Sequence, residues 1–149
     1  MKININGRIF DIDVIHFVDE DYHELRPKTE DGRQVGFLNF KLNRKKGRLV
    51  ELNKIRIYDE FQGRGYATAL IKAFEYYVAT KLMGFMVEGK FYPSNCRAKP
   101  FYEKNGYEIE KDGYDTLVTK ILDLEKIKKE ISPNVTEFQV TEIDNAPTM

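Results

Sequence analysis

The stretch "IRIYDEFQGRGYATALIKAFEYY", Ile55 to Tyr77, passes from a strand-like alternation through a turn with two glycines into an amphipathic helical pattern. A glycine-bearing turn feeding a helix N-terminus is an anion site, because unpaired backbone N–H groups converge there and the helix dipole favours negative charge. Gly63 and Gly65 let the backbone approach a guest closely, while Arg64 and Thr68 add a charge and a hydroxyl donor. Phosphate is the expected guest. The P-loop spacing is excluded, since no Lys-Ser or Lys-Thr pair follows a glycine at the required distance. The dinucleotide fingerprint is matched at Gly63 and Gly65, with Thr68 in the third place and Glu88 about 20 residues on, where a ribose-binding acid stands. Against it, five residues separate Ile57 from Gly63, and the chain offers one βαβ unit where two halves are expected.

Working outward, "KINI", "RIFDIDVIHFV", "QVGFLNFKLN" and "RLVELNKIRIY" alternate or cluster β-branched and aromatic residues, with "NG" and "KKG" as turns, so the first third is expected to be an antiparallel meander. From Tyr66 to Met83 the apolar residues Ala67, Leu70, Ile71, Phe74, Tyr77, Val78 and Leu82 share one helical face, which Gly84 ends. "FMVEGKF" is a further strand, "CRAKPFYEKNG" a short helix, and "YEIEKDG" with "DTLVTKILD" a hairpin. The expected domain is 1–123. Residues 124–149 form an extension with a charged helical piece, "LEKIKKEI", an edge strand and a partly flexible end.

At 149 residues, 42% of them hydrophobic and 13% aromatic, the chain has material for one core. Lys+Arg and Asp+Glu both number 24, so the general basic character of a nucleic-acid binder is missing. The run "RKKGR", Arg44 to Arg48, is expected to be a solvated hairpin turn. Cys96 is the only cysteine, which rules out an intrachain disulfide. A cytoplasmic protein without metal or membrane span is expected, the start "MKININGRIF" carrying charge instead of a long apolar run.

Two motifs add a resemblance. "QGRGYA", Gln62 to Ala67, is similar to the [QR]-x-x-G-x-[GA] motif of the GNAT superfamily of acyl-CoA-dependent N-acyltransferases. Downstream, "NCRAKPFYEKNGYE", Asn95 to Glu108, resembles that family's N-x-x-A-x-x-(apolar)-Y-x-x-x-G-[FY] signature. Two motifs in order with a strand between them are more specific than either alone. The resemblance implies an α/β (α+β) fold with a mixed, mostly antiparallel twisted sheet, flanking helices and a splayed central parallel strand pair. It implies acetyl-CoA as donor and direct transfer to an amine. Carried over by position, Gln62, Arg64, Gly65, Ala67 and Thr68 line the pyrophosphate, and Gly63 and Tyr66 of the same turn join the cofactor-binding set. Ile55, Arg56 and Ile57 lie along the pantetheine arm as a mock strand partner. Asn95 binds the arm from the other side, and Ala98 and Tyr102 complete the set.

An amine must be neutral to attack a thioester, yet a lysine with pKa about 10.4 is neutral in only roughly one copy in a few thousand at pH 7. A base or desolvation is needed, together with an oxyanion donor, for which the backbone N–H near Ile57 is the candidate. The resemblance implies Tyr102 as the acid that protonates the departing thiolate; the alternative is that Tyr102 only packs beside Phe101. Glu51, eleven positions before Gln62, matches the place of the catalytic glutamate in the histone-acetylating branch. Uninterrupted alternation puts Glu51, Asn53, Ile55 and Ile57 on one strand face, and Glu51 is alternatively a solvated residue. An ordered water held by Asn53 or Glu88 is the other base. His16 and His23, far from both motifs, are assigned to surface or core, and Cys96 to packing.

The family places two helices between its first and second strands, where this chain has only "DEDYHELRPKTEDGR", Asp19 to Arg33, expected to hold one short helix or a loop. That predicts an acceptor site more open than usual, admitting a protein or peptide amine, or one completed by a second subunit. Acidic "DEDYHE" and "YDE" are candidates to attract a cationic amine, or plain solvated surface. Monomer and homodimer both stay open. The competing function is a binding module that keeps the fold without turnover.

Overall fold

Ten strands and three α-helices occupy residues 1–91, 97–113 and 115–144, the part of the chain that the computed structural model describes. Strands β1 (Lys2–Ile5), β2 (Arg8–Phe17), β3 (Tyr22–Lys28), β4 (Gly36–Asn43) and β5 (Leu49–Ile57) form the expected antiparallel meander. Then come α1 (Tyr66–Lys81), β6 (Met86–Phe91), α2 (Ala98–Lys104), the hairpin β7 (Glu108–Asp112) and β8 (Asp115–Ile121), α3 (Leu124–Glu130), and the short strands β9 (Val135–Thr136) and β10 (Val140–Ile143). The sheet runs β7-β8-β6-β5-β4-β3-β2-β1-β9, with β10 also beside β2. Its parallel pairs are β5 with β6 and β10 with β2, the rest being antiparallel. This is the α+β arrangement with a mostly antiparallel sheet that the sequence predicts.

One expectation fails. Residues 22–28 form a central strand, where a short helix or loop was expected. "YHELRPK" alternates in its own way: His23 and Leu25 turn into the core, while Tyr22, Glu24 and Arg26 turn to the other face. Pro27 is tolerated because its position faces β4's side of the sheet just beyond the β3–β4 ladder, which ends at Leu25 and Leu38; its carbonyl there accepts from Val35 N–H at 2.9 Å. No helix intervenes between β2 and β3, only a three-residue 3₁₀ turn at Val18–Glu20.

Helix α1 covers one face of the sheet with Ala69, Leu70, Ala73, Phe74, Tyr77 and Val78, all buried. The two alanines permit close approach, and the fully buried Phe74 and Phe40 meet edge to face at 5.0 Å between centroids. Burying one such ring contributes on the order of 2–3 kcal/mol. Gly84 ends α1 for a reason other than left-handed backbone. Met83 adopts the positive φ of 57°, and Gly84 N–H then bonds back to the Val78 carbonyl at 3.0 Å. A Cβ at 84 would stand 2.5 Å from Val78 Cγ1 and 2.8 Å from Val50 Cγ2, so packing excludes it. Helix α3 packs on α1, and α2 lies on the same side through Tyr102, which stacks on Phe91 at 5.8 Å. Among the described residues all three α-helices thus share one face of the sheet.

Two irregularities in β5 prepare the site. Its parallel pairing with β6 runs only from Leu49–Met86 to Leu52–Gly89, after which the two strands run on to Ile57 and Phe91 without pairing with each other. The strands part there. At the same level the β4–β5 register slips: Asn39 faces Lys54 while Phe40 faces Leu52, so Asn53 is the extra residue of a bulge.

Candidate active site

Where β5 and β6 separate, a cavity of about 740 Å³ opens between β5, the glycine turn, the start of α1 and α2. That is within the range of cofactor-sized sites. Its lining includes Asn53, Ile55, Arg56, Ile57, Gln62, Gly63, Gly65, Tyr66, Ala67, Thr68, Ala98 and Tyr102, so the structure brings together most of the residues singled out in the sequence. Asn95 and Cys96 lie outside the described residues.

The turn is built as its sequence requires. Gly63 and Gly65 take φ of 75° and 84°, a region L residues disfavour. Gly65 is the N-cap of α1 and supplies no side chain to cap it, which leaves the first-turn amides of this 16-residue helix without a side-chain acceptor. Gln62 ties the region together: its Nε2 donates to the Ile57 carbonyl at 3.0 Å, and its Oε1 accepts from Arg97 Nη1 of the α2 N-cap at 2.7 Å. Arg8, absent from the sequence reading, reaches across from β2. Its guanidinium lies over Phe10 and Tyr66 at 4.4 and 5.1 Å and donates to the Arg64 carbonyl. Arg64 itself is exposed, its guanidinium 5.8 Å from the Phe61 ring.

Tyr102 forms the opposite wall. Its ring is buried among Phe91, Phe101 and Tyr107, and burial pushes its pKa up to about 12. Its hydroxyl has no hydrogen-bond partner among the described residues, yet it is not sealed from solvent. Behind it, Tyr107 donates to buried Glu75 Oε2 at 3.0 Å while Lys120 donates to Glu75 Oε1 at 2.8 Å, which pins this wall to α1. Burial first, then the Glu75 charge, raises the Tyr107 pKa well above its ordinary value.

The bulge corrects the expected strand face. Because Asn53 is an extra residue, Glu51 pairs with Lys41 and points away from Ile55 and Ile57, which pair with Leu38 and Gly36. Glu51 is exposed, accepts from Asn43 Nδ2 at 2.8 Å, and neighbours Glu88 in register across β6. The cavity lining begins one residue later, at Leu52.

His16 and His23 meet in a cluster that spacing did not reveal. Strand pairing sets them side by side, their rings stacked at 4.1 Å and 3° apart, and both Nε2 atoms approach Asp21 Oδ1, at 3.1 and 3.2 Å. Nδ1 of the fully buried His23 lies 2.8 Å from the Tyr77 hydroxyl. Burial disfavours the Asp21 charge, but the hydrogen bond and charge of His23, with Arg44, outweigh it and hold Asp21 below the usual carboxylate range. Parallel rings aim their lone pairs side by side, so this His16–Asp21–His23 group, although its ligand atoms lie within 4.8 Å, suits hydrogen bonding better than chelation. No helix among the described residues is long and apolar enough to cross a membrane.

The model of the Acetyltransferase (GNAT) family matches residues 9–107. The chain belongs to that family. By class it is an acyl-CoA-dependent acetyltransferase. Among solved structures it is similar to PaiA N-acetyltransferase from Thermoplasma acidophilum in complex with coenzyme A, at 22% identity and TM-score 0.60, covering 68% of this chain and 61% of that one. It is also similar to a mutant SpeG spermidine N-acetyltransferase from Vibrio cholerae (21% identity, TM-score 0.63, 75% and 70% covered). An acetyltransferase from Thermus thermophilus shares 25% identity at TM-score 0.58, with 70% and 67% covered. A comparison with curated protein sequences finds no match.

Proposed function

We propose that this protein transfers the acetyl group of acetyl-CoA directly to a primary amine within a ternary complex. The observation that carries the reading is the slot itself: two parallel strands part between a glycine-capped helix start and a tyrosine hydroxyl left without a partner among the described residues. In this reading the amides of Gly63 to Thr68 receive the pyrophosphate, with Gln62 and Arg64 at its edge. The β5 edge from Ile55 to Ile57, unpaired on the β6 side, bonds the amides of the pantetheine arm, and Ala98 closes the slot opposite. Asn95 holds the arm from the far side, as the family motif implies. The amide near Ile57 stabilises the oxyanion, and Tyr102, still protonated at neutral pH, donates to the leaving sulfur. Glu51, or a water held by Asn53 or Glu88, takes the amine's proton.

The acceptor enters from the sheet face opposite the helices. With no α-helix there among the described residues, an amine carried on a protein or peptide reaches the bulge without threading a closed pocket. Calorimetric titration with acetyl-CoA tests the donor site: the parent binds and Gly65→Asp does not, since the substitution puts a carboxylate and a strained φ of 84° at the phosphate turn. Equal binding by both removes the pyrophosphate from this turn. Tyr102→Phe is expected to keep acetyl-CoA binding and lower kcat by about a hundredfold.

A further inference from the structure

A chain of polar side chains crosses the helix-free face of the sheet and ends at the bulge. Glu24 of β3, 9% exposed, accepts from Arg26 Nε at 2.5 Å and from Asn39 Nδ2 at 3.5 Å. Asn39 of β4 is 6% exposed, and its Oδ1 accepts from Asn53 Nδ2 at 3.1 Å. Donor and acceptor directions along this chain are fixed from one end. A carboxylate offers acceptors only, and the Tyr22 hydroxyl beside it already donates to Glu24 Oε1 at 3.5 Å, so Asn39 turns its NH₂ toward Glu24 and Tyr22 and its oxygen toward β5. Asn53 must then present its own NH₂ to Asn39. What remains is the Asn53 side-chain carbonyl oxygen, an acceptor without a partner among the described residues, on a residue that borders the cavity. The bulge supplies the aim, since an extra residue turns Asn53 onto the same face as Asn39 at the level where β5 and β6 part.

The geometry points to Asn53 Oδ1 as the group that receives an N–H of the attacking amine, with Asn39 and Glu24 as positioning residues that enforce its orientation. This rests on the amine-acetylation reading above. An amide oxygen at this place is no base; it orients the neutral amine so that its lone pair faces the acetyl carbon. The C–N bond forms, the oxyanion collapses as the C–S bond breaks, the thiolate takes the Tyr102 proton, and the proton that the amine gives to the base named above returns to Tyr102 through solvent. Protons and electrons balance. Glu24 acts at a distance, by deciding that β5 shows the acceptor an oxygen instead of an NH₂.

The test measures acetyl-CoA affinity and amine kinetics for the full chain, with a lysine-containing hexapeptide and n-butylamine as probes. Asn53→Ala should lower kcat/KM for the amine about tenfold or more while the acetyl-CoA Kd stays within about twofold. Asn53→Asp sets its carboxylate against Asn39 Oδ1, two acceptors facing each other, and should recover little of the loss. Glu24→Gln frees the amide direction and should cost less than Asn53→Ala. Combined with Asn53→Ala it should add nothing, a coupling that a merely structural role would not produce. Unchanged kcat/KM in Asn53→Ala, full recovery by Asn53→Asp, or additive losses overturns the inference while leaving acetyl transfer intact. A parent that binds acetyl-CoA but turns over neither probe instead overturns the amine reading, and this inference with it.

Discussion

Mild acid should weaken this protein through His23, and the size of the effect follows from its surroundings. Burial, with His16 next to it, lowers its pKa from the ordinary 6.5 to about 4, although Asp21 pulls the other way. Arg44 adds a further positive charge nearby, and Tyr77 from α1 donates its hydroxyl to Nδ1 once Asp21 has taken the Nε2–H. The folded state therefore holds His23 neutral where the unfolded chain protonates it. Its contribution is present above pH 6.5 and is lost as pH falls toward 4. At about 1.36 kcal/mol per pKa unit, the loss between pH 7.5 and 5 is about 2 kcal/mol, and about 0.8 kcal/mol has gone by pH 6. Against a typical domain stability of about 5–15 kcal/mol this is readily measured. Urea unfolding of the parent and of His23→Gln at pH 7.5, 6 and 5 isolates it from the titration of other groups. Gln can still accept from Tyr77 and donate to Asp21, so the variant is weaker throughout but flatter. Equal losses in both proteins between pH 7.5 and 5 would refute the reasoning.

Two further outcomes follow from the slot. Gly36→Ala places a Cβ 2.2 Å from the Arg56 carbonyl oxygen and 3.0 Å from Ile57 Cα, both backbone atoms of the strand edge that carries the slot. It should force β4 off β5, lowering stability by about 1–3 kcal/mol and weakening acetyl-CoA binding more than a core substitution of equal cost; chemical denaturation paired with calorimetry reads both. For Tyr102, burial holds the pKa near 12, so the parent's kcat should show no alkaline fall from this group below about pH 10. A kcat that drops with an apparent pKa near 8 or 9 would assign the acid elsewhere.

Legibility in the sequence tracked how local each constraint is. The turn at Gly63 and Gly65 was readable because positive φ and close approach are demands that a few neighbouring residues state by themselves. Helix α1 declared itself by its apolar spacing, and Ala98, Tyr102 and Gly106 only by the resemblance to the family's second motif. Strand β3 did not, because its outer face is charged and Pro27 interrupts it; only the partners on both sides make it a strand. The bulge at Asn53 is a relation between two strands, so nothing in β5 alone announces that Glu51 and Ile55 part company. For the same reason neither the Glu24–Asn39–Asn53 chain nor the His16–Asp21–His23 group had a signal in spacing: each is assembled across neighbouring strands. Gly84 marks the helix boundary in the sequence, but part of what forbids a side chain there is Val50, thirty-four positions earlier, together with Val78.

The helix-free face is polar by construction, and this bears on what the site is for. Had two covering helices simply been lost from a sheet made to carry them, the face beneath would be apolar and exposed. Instead, Phe37 and Leu49 apart, β3, β4 and β5 turn Tyr22, Glu24, Arg26, Asn39, Lys41, Glu51, Asn53, Lys54 and Arg56 outward, and the most buried of the polar ones, Glu24 and Asn39, bond to each other. An antiparallel sheet with one apolar and one hydrated face is stable without a second layer. The polar face therefore needs no cover for stability, and in the proposed reading the acceptor approaches a face open to water. Openness has a chemical consequence, because a site that does not exclude water gives the amine little help by desolvation. Neutral amine must then be drawn from the small equilibrium fraction, and turnover should rise about tenfold per pH unit below the acceptor's pKa. A kcat/KM profile with unit slope from pH 6 to 9 on the lysine hexapeptide is the expected result, and a plateau beginning near pH 7 would show that a base in this site deprotonates the ammonium before attack.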